Sequence, residues 1–180
     1  NVIYDHHNKI FNNEIEPDRS IKKYDAFFIG SLSKTKRLRS FYFEKISNDP
    51  RIKNYKIFLD QYNLGDIKDI SNNLNMIKKS NVSIDFSGQV DNLTMRFHEI
   101  IFFKGIPISD EGFLKFYLSN YYEEIIEYIV FKDKDYFFYL IDLYQSDRFR
   151  EYILKKLYRI FSDYYDPSIE GKKILNDIQI

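Results

Sequence analysis

IDFSGQVDNLTMRFHEIIFFKGIPIS, from Ile84 to Ser109, is the stretch whose reading decides the fold. It is entered by Val82-Ser83-Ile84-Asp85-Phe86, a run with strand composition. Ser87-Gly88-Gln89 breaks that run. Asp91 or Asn92 then supplies an N-cap, and apolar residues recur at Leu93, Phe97, Ile100 and Ile101 with helical spacing. Gly105 ends the helix, and Ile106-Pro107-Ile108-Ser109 reads as a second strand. Strand, turn, helix and strand together are the building unit of a parallel α/β sheet.

The polar residues of this helix carry the functional signal. At 100° per residue, Arg96, Glu99 and Phe103 share a face, while Phe97, Ile100 and Ile101 cover another. Arg96 and Glu99 therefore stand near the start of a helix that follows the carboxyl end of a strand, where open α/β sheets bind ligands. An arginine there can grip a phosphate, and a carboxylate can accept from sugar hydroxyls. The spacing also fits an i,i+3 ion pair on a solvated face, worth a few tenths of a kcal/mol.

Working outward, Tyr24–Gly30 is a near-continuous apolar strand, the pattern of a strand buried on both faces. Gly30-Ser31-Leu32-Ser33 turns into a helix over 35–46 that opens with Lys34, Lys36, Arg37 and Arg39. A glycine turn feeding a helix N-terminus favours anions through its free N–H groups and dipole. Neither the Walker pattern nor the G-x-G-x-x-G fingerprint is present, so the same turn is equally a tight βα connection with a basic face. Further on, Tyr55–Leu59 is read as a strand, Asn63–Asp66 as a turn and Ser71–Lys79 as a helix. Beyond Ser109 the expected order is helix 113–122, strand 124–131, helices 136–144 and 148–161, and a last helix over 170–178. Phe149, Ile153, Leu157 and Ile160 form the core stripe of the 148–161 helix. The expected fold is α/β and Rossmann-like, a mostly parallel sheet of about five strands with helices on both faces. Residues 1–23 read as a linker or N-terminal extension and 24–180 as the domain.

Composition bounds the partners. Hydrophobic residues at 44% and aromatics at 18% suffice for a packed core and argue against disorder. With 27 basic and 27 acidic residues the chain has no basic excess, which argues against a dedicated nucleic-acid binder. No cysteine is present, so thiol chemistry and disulfides are excluded. His6 and His7 lack the ligand spacing of a zinc site and read as loop histidines. The chain opens without Met or a signal sequence and is read as part of a longer protein, and no apolar run reaches membrane-spanning length.

The segment Asp85, Gln89, Leu93-Thr94-Met95-Arg96-Phe97 and Glu99, leading into Lys104-Gly105 and a strand, resembles the donor site of bacterial GT-B glycosyltransferases of the lipopolysaccharide and capsule kind. Phe28-Ile29-Gly30 with Arg37, and Ser80-Asn81-Val82, match two further stretches of that family. The resemblance is specific over the 83–109 segment and loose elsewhere; Lys104 precedes the glycine, and His98 stands where the family has a smaller residue. It implies the nucleotide-sugar-binding, C-terminal half of such an enzyme, transferring sugar from an activated donor to a growing glycan. The implied donor-binding residues are Gly30, Lys34, Arg37, Gln89, Thr94, Arg96 and Glu99. Glu99 would accept from donor hydroxyls, Arg96 with Arg37 or Lys34 would face the diphosphate, and the turns at Gly30 and Gln89 would offer N–H groups. No metal or other cofactor is implied. The glycan or lipid-linked acceptor would be held by an N-terminal domain outside this chain, and the expected location is cytoplasmic, at the inner membrane face. Lys155, Lys156 and Arg159 beside Tyr152 and Tyr158 admit a peripheral membrane contact, although the apolar stripe of that helix fits a core better. The rival reading is a non-catalytic α/β partner-binding or regulatory domain, which would need no Arg96–Glu99 pair at the strand ends.

Overall fold

The apolar β-rich runs form strands because each is buried on both sides. In β1 (Tyr24–Gly30) every residue from Ala26 onward is buried, and β3 (Ser80–Asp85) is buried along its whole length. The structure, a computed structural model, describes residues 22–30, 37–61, 70–87, 95–112 and 122–165. Around these two strands stand α1 (Arg37–Ser47), a 3-10 turn (Pro50–Asn54), β2 (Ile57–Gln61) and α2 (Ile70–Lys79). They are followed by α3 (Met95–Phe102), β4 (Pro107–Asp110), α4 (Ile126–Ile129), β5 (Val130–Phe131), α5 (Lys134–Leu143) and α6 (Asp147–Tyr165). The described strands form one five-stranded, all-parallel sheet in the order β2-β1-β3-β4-β5. The fold is Rossmann-like α/β.

Topology assigns the helices to faces. The chain steps from β1 out to β2, then reverses across β1 to β3 and continues in that direction. Right-handed crossovers therefore place α1 on one face and α2 and α3 on the other. α5 touches α1, and α6 touches α3, so α1 and α5 cover one face and α2, α3 and α6 the other. The α1–α5 face is aromatic. Phe28 meets Phe43 and Phe86 with ring centroids 5.9 and 4.8 Å apart, Phe86 meets Phe131 at 6.2 Å, and Phe131 meets Tyr42 and Phe137 at 5.4 and 5.3 Å. All five contacts are edge-on, the arrangement that the ring quadrupole favours. On the other face α6 buries Ile153, Leu157 and Phe161 toward α3, while Phe149 and Ile160 are partly buried. The apolar stripe of α6 thus belongs to the core.

An ionic knot fixes the start of α5. The buried Asp49 carboxylate accepts from the Arg51 guanidinium at 2.9 Å and from its backbone N–H at 3.0 Å, with Lys134 Nζ 3.0 Å away. Arg51 also reaches Asp135 at 2.6 Å and lies over the Phe138 ring. Arg51 and then Lys134 hold the Asp49 carboxyl well below the usual range. Asp133 caps the helix by accepting from Tyr136 N at 2.8 Å.

Some elements differ from the sequence reading. The expected strand over 124–131 is a helical turn, Ile126–Ile129, followed by a strand of Val130 and Phe131 alone. Its apolar residues Ile125 and Ile129 are buried one turn apart, and a short apolar run fits either period. The expected strand 55–59 begins later, at Ile57, because Asp49 initiates the 3-10 turn and Tyr55 closes it. Phe103 does not share an open face with Glu99: it follows the last residue of α3 and is buried. The expected caps Asp91 and Asn92, the turn 63–66, most of helix 113–122 and the helix 170–178 lie outside the described residues.

The end of α3 separates two roles usually filled by one glycine. Lys104 N donates to Ile101 O at 2.9 Å and Gly105 N to Ile100 O at 2.8 Å, the paired bonds of a Schellman cap. The left-handed residue is Lys104, with φ 57°, and its ammonium lies over the Tyr158 ring of α6. Gly105 is required for space: a Cβ there would stand 2.5 Å from Ile77 Cγ2 and 2.8 Å from Ile100 Cγ2. Gly105→Ala should lower unfolding free energy by about 1–3 kcal/mol through overpacking in a denaturant titration. Lys104→Gly, which relieves the left-handed residue, should be tolerated. A second prediction concerns His98, whose imidazole is pushed down to about 4 by burial. The unfolded chain takes up that proton first, so stability should fall as pH drops from 6.5 toward 4, by on the order of 2 kcal/mol. The slope should be absent from His98→Gln when the two are unfolded side by side.

Candidate functional site

The parallel ladder between β1 and β3 stops early. It pairs Tyr24, Ala26 and Phe27 with Ser80, Val82 and Ser83. Beyond that point Phe28, Ile29 and Gly30 keep partners on β2. The last residue pair of that ladder is Phe27 with Ser83, at the place where the strand order reverses direction. In doubly wound sheets this topological switch point is where a crevice opens. Backbone carbonyls at these strand ends need donors, since a buried unpaired carbonyl costs about 1–3 kcal/mol.

Two arginines supply them. Arg96, near the start of α3, donates from Nη1 to the carbonyl of Ile29. Arg39, in the first turns of α1, donates from Nη2 to the carbonyl of Phe86 at 3.0 Å. Both guanidinium groups also lie over the Phe28 ring, Arg96 at 5.8 Å and Arg39 at 5.9 Å from its centroid, within cation–π range. Gly30 closes β1 opposite Gln61 and is buried beneath that ring. A Cβ on Gly30 would stand 2.5 Å from Phe28 Cζ, so the glycine lets the ring fold over the strand end. Gly30 is thus the last residue of β1, and the rest of the expected turn, 31–33, lies outside the described residues.

Asp110 completes the edge. It is the last residue of β4, wholly buried, and accepts from Ser87 N at 2.7 Å, from Ser87 Oγ, and from Gly112 N at 2.9 Å. Burial pushes its carboxyl up, against these bonds and the charge of Arg39. Ser109 Oγ donates to Asp85 O at 2.8 Å, another link between the β3 and β4 ends.

The sequence-predicted residues are distributed as follows. Gly30 and Arg96 meet at the β1 end. Glu99 is exposed one turn along α3, and Arg96 reaches the Ile29 carbonyl and Phe28 ring rather than pairing with it. Arg37 is the first residue of α1. Lys34, Gln89 and Thr94 lie outside the described residues. Arg39 and Asp110 were missed as site residues. Arg39 was visible as part of the basic opening of α1, and its inward direction is set by the Phe86 carbonyl, which sequence does not display. Asp110 had one signal, a carboxylate at the carboxyl end of an apolar strand.

A second concavity lies farther along the same edge. A groove of about 400 Å3 runs between α1 and the ends of β4 and β5, lined among others by Phe41, Lys45, Glu111 and Lys132. Tyr42 donates to Glu111 there at 3.1 Å, and burial together with that carboxylate raises the phenol. Of the described sequence-predicted residues, Gly30, Arg96 and Glu99 do not line it. Among the described residues, no His, Cys, Asp or Glu cluster could hold a metal ion, and no helix is long and apolar enough to cross a membrane.

Comparison with protein-family models, curated proteins and solved structures returned no match. Exposure alone makes one forecast for this region. Glu99→Gln should leave unfolding free energy within about 0.5 kcal/mol of the parent, as for surface substitutions in general. A larger loss, read from a thermal melt, would show that Glu99 is needed by the fold.

Proposed function

We propose that the crevice between β1 and β3 binds the diphosphate of a nucleotide-activated sugar. The chain is then the donor-binding half of a bacterial glycosyltransferase of the GT-B type, serving a surface glycan. The observation that carries this reading is the pair Arg39 and Arg96 at the switch point, both anchored on strand-end carbonyls and the Phe28 ring. A carbonyl and a ring, both neutral, orient the Arg96 guanidinium. Arg39 is held beside it by the Phe86 carbonyl and the same ring, while its charge also acts on Asp110. A guanidinium presents several N–H donors in a fixed fork. An anion with several oxygens is the ligand that such a pair suits. The sugar half of the reading rests on the Leu93-Thr94-Met95-Arg96 and Glu99 resemblance. In transfer, the acceptor oxygen bonds to the anomeric carbon, and the bond from that carbon to the phosphate oxygen breaks. The electron pair leaves with the nucleoside diphosphate, where positive charge stabilises it. The acceptor hydroxyl's proton passes to a base in the acceptor half. Glu99, exposed one turn beyond Arg96, is the candidate acceptor of donor hydroxyls.

Titration of the chain with UDP, GDP and free hexose tests this by calorimetry and by amide NMR. A nucleoside diphosphate should bind with Kd of about 0.1–1 mM, roughly −5 kcal/mol, and free hexose should not. Arg39→Ala and Arg96→Ala should each weaken binding about tenfold, the loss of one charge-assisted bond. Failure of millimolar nucleotide to shift any resonance around Phe28 and Arg96 would remove the proposal.

A further inference from the structure

Among the described residues, three elements meet at one buried point of the carboxyl edge: the end of β4, the Phe86–Ser87 corner beyond β3, and the opening of α1. The contact among them is built around Asp110. Its carboxylate is 0% exposed, yet it lies beside the apolar Phe86, where a carboxylate is a costly choice. Well-packed apolar side chains usually serve stability better than buried charge, so a retained carboxylate calls for a geometric reason. The geometry supplies one. Both carboxylate oxygens are engaged, Oδ2 by Ser87 N at 2.7 Å and Oδ1 by Ser87 Oγ and by Gly112 N at 2.9 Å. Gly112 has no Cβ, and one there would strike Ser87 Oγ and approach Asp110 Oδ1. The corner held in this way carries the Phe86 carbonyl, which accepts from Arg39 at 3.0 Å. The charge of Arg39 also acts on the carboxylate.

We propose that Asp110 is a positioning residue for the crevice: from the end of β4 its carboxylate fixes the Phe86–Ser87 corner, and through that corner it aims the guanidinium of Arg39. For its ligand the inference rests on the function proposed above; for its geometry it does not. Asparagine cannot replace the carboxylate here. It has one acceptor oxygen, and its NH2 would face a backbone N–H.

The experiment compares the parent chain with Asp110→Asn, using side-chain NMR of 15N-labelled arginine and titration with inorganic pyrophosphate. The Arg39 signal is identified by its loss in Arg39→Lys. In the parent chain, Arg39 Nε–H should be resolved and its guanidinium slow to rotate. In Asp110→Asn the signal should collapse toward that of a free arginine, and pyrophosphate affinity should drop about tenfold, while the other amide resonances keep their dispersion. An unchanged Arg39 signal in a folded Asp110→Asn would overturn the positioning role. A collapsed signal with unchanged affinity would overturn its link to the ligand. If the parent chain does not bind pyrophosphate, the nucleotide reading fails, and the Arg39 signal still decides the geometry. If Asp110→Asn does not fold, Ser87→Ala removes one donor and keeps the backbone N–H. It should give a smaller change of the same kind, and no change at Arg39 would again refute the proposal.

Discussion

The carboxyl edge is organised by two backbone carbonyls, those of Ile29 and Phe86, that accept from arginine side chains. Beyond the last β1–β3 pair, Phe27 with Ser83, the Ile29 carbonyl accepts from Arg96 and the Phe86 carbonyl from Arg39. Neutral donors of the right length are scarce at that distance from a helix, whereas an arginine spans it. Each helix that returns to this edge therefore brings one: α1 brings Arg39 and α3 brings Arg96. The two like charges are brought near the same Phe28 ring by this requirement, and the face of the ring offsets part of their repulsion.

This arrangement differs in kind from the ionic knot at Asp49. There Arg51 meets two carboxylates, and its charge is locally cancelled. At the crevice, Arg96 is anchored on a carbonyl and a ring, both neutral. The first arrangement stabilises the junction between the 3-10 turn and α5. The second sets the Arg96 guanidinium at the switch point on neutral partners. That contrast, rather than any count of basic residues in a chain of zero formal net charge, separates the crevice from the remaining charged surface.

Much of the fold was legible in the sequence. Tyr24–Gly30 matched its strand residue for residue, and α2 and α6 lay within a few residues of expectation, because long periodic segments override local ambiguity. The 124–131 run misled because its apolar residues, with Ile125, Ile129, Val130 and Phe131 buried, form a short run that fits either period. The end of α3 was legible as a stop but not in its mechanism. Gly105 suggested the left-handed residue, whereas Lys104 adopts it and Gly105 answers a steric limit set by Ile77, distant in sequence.

The site was legible in a narrower sense. Helical spacing placed Arg96 and Glu99 near each other, and the structure leaves them so, yet spacing could not say which way Arg96 turns. Its direction is decided by the Ile29 carbonyl, on a strand 67 residues away in sequence. The same holds for Arg39 and Phe86, 47 residues apart. In both cases the donor is on a helix and the acceptor is a backbone atom, which has no identity in sequence. A side-chain pair such as Arg96 and Glu99 can be read from the chain, but an arginine bound to backbone can be found only after the strand order is known. Strand order follows from where the chain reverses between β2 and β3, which makes β1 and β3 neighbours. The topology that sets β1 beside β3 thus brings the Ile29 and Phe86 carbonyls to the edge where Arg96 and Arg39 meet them.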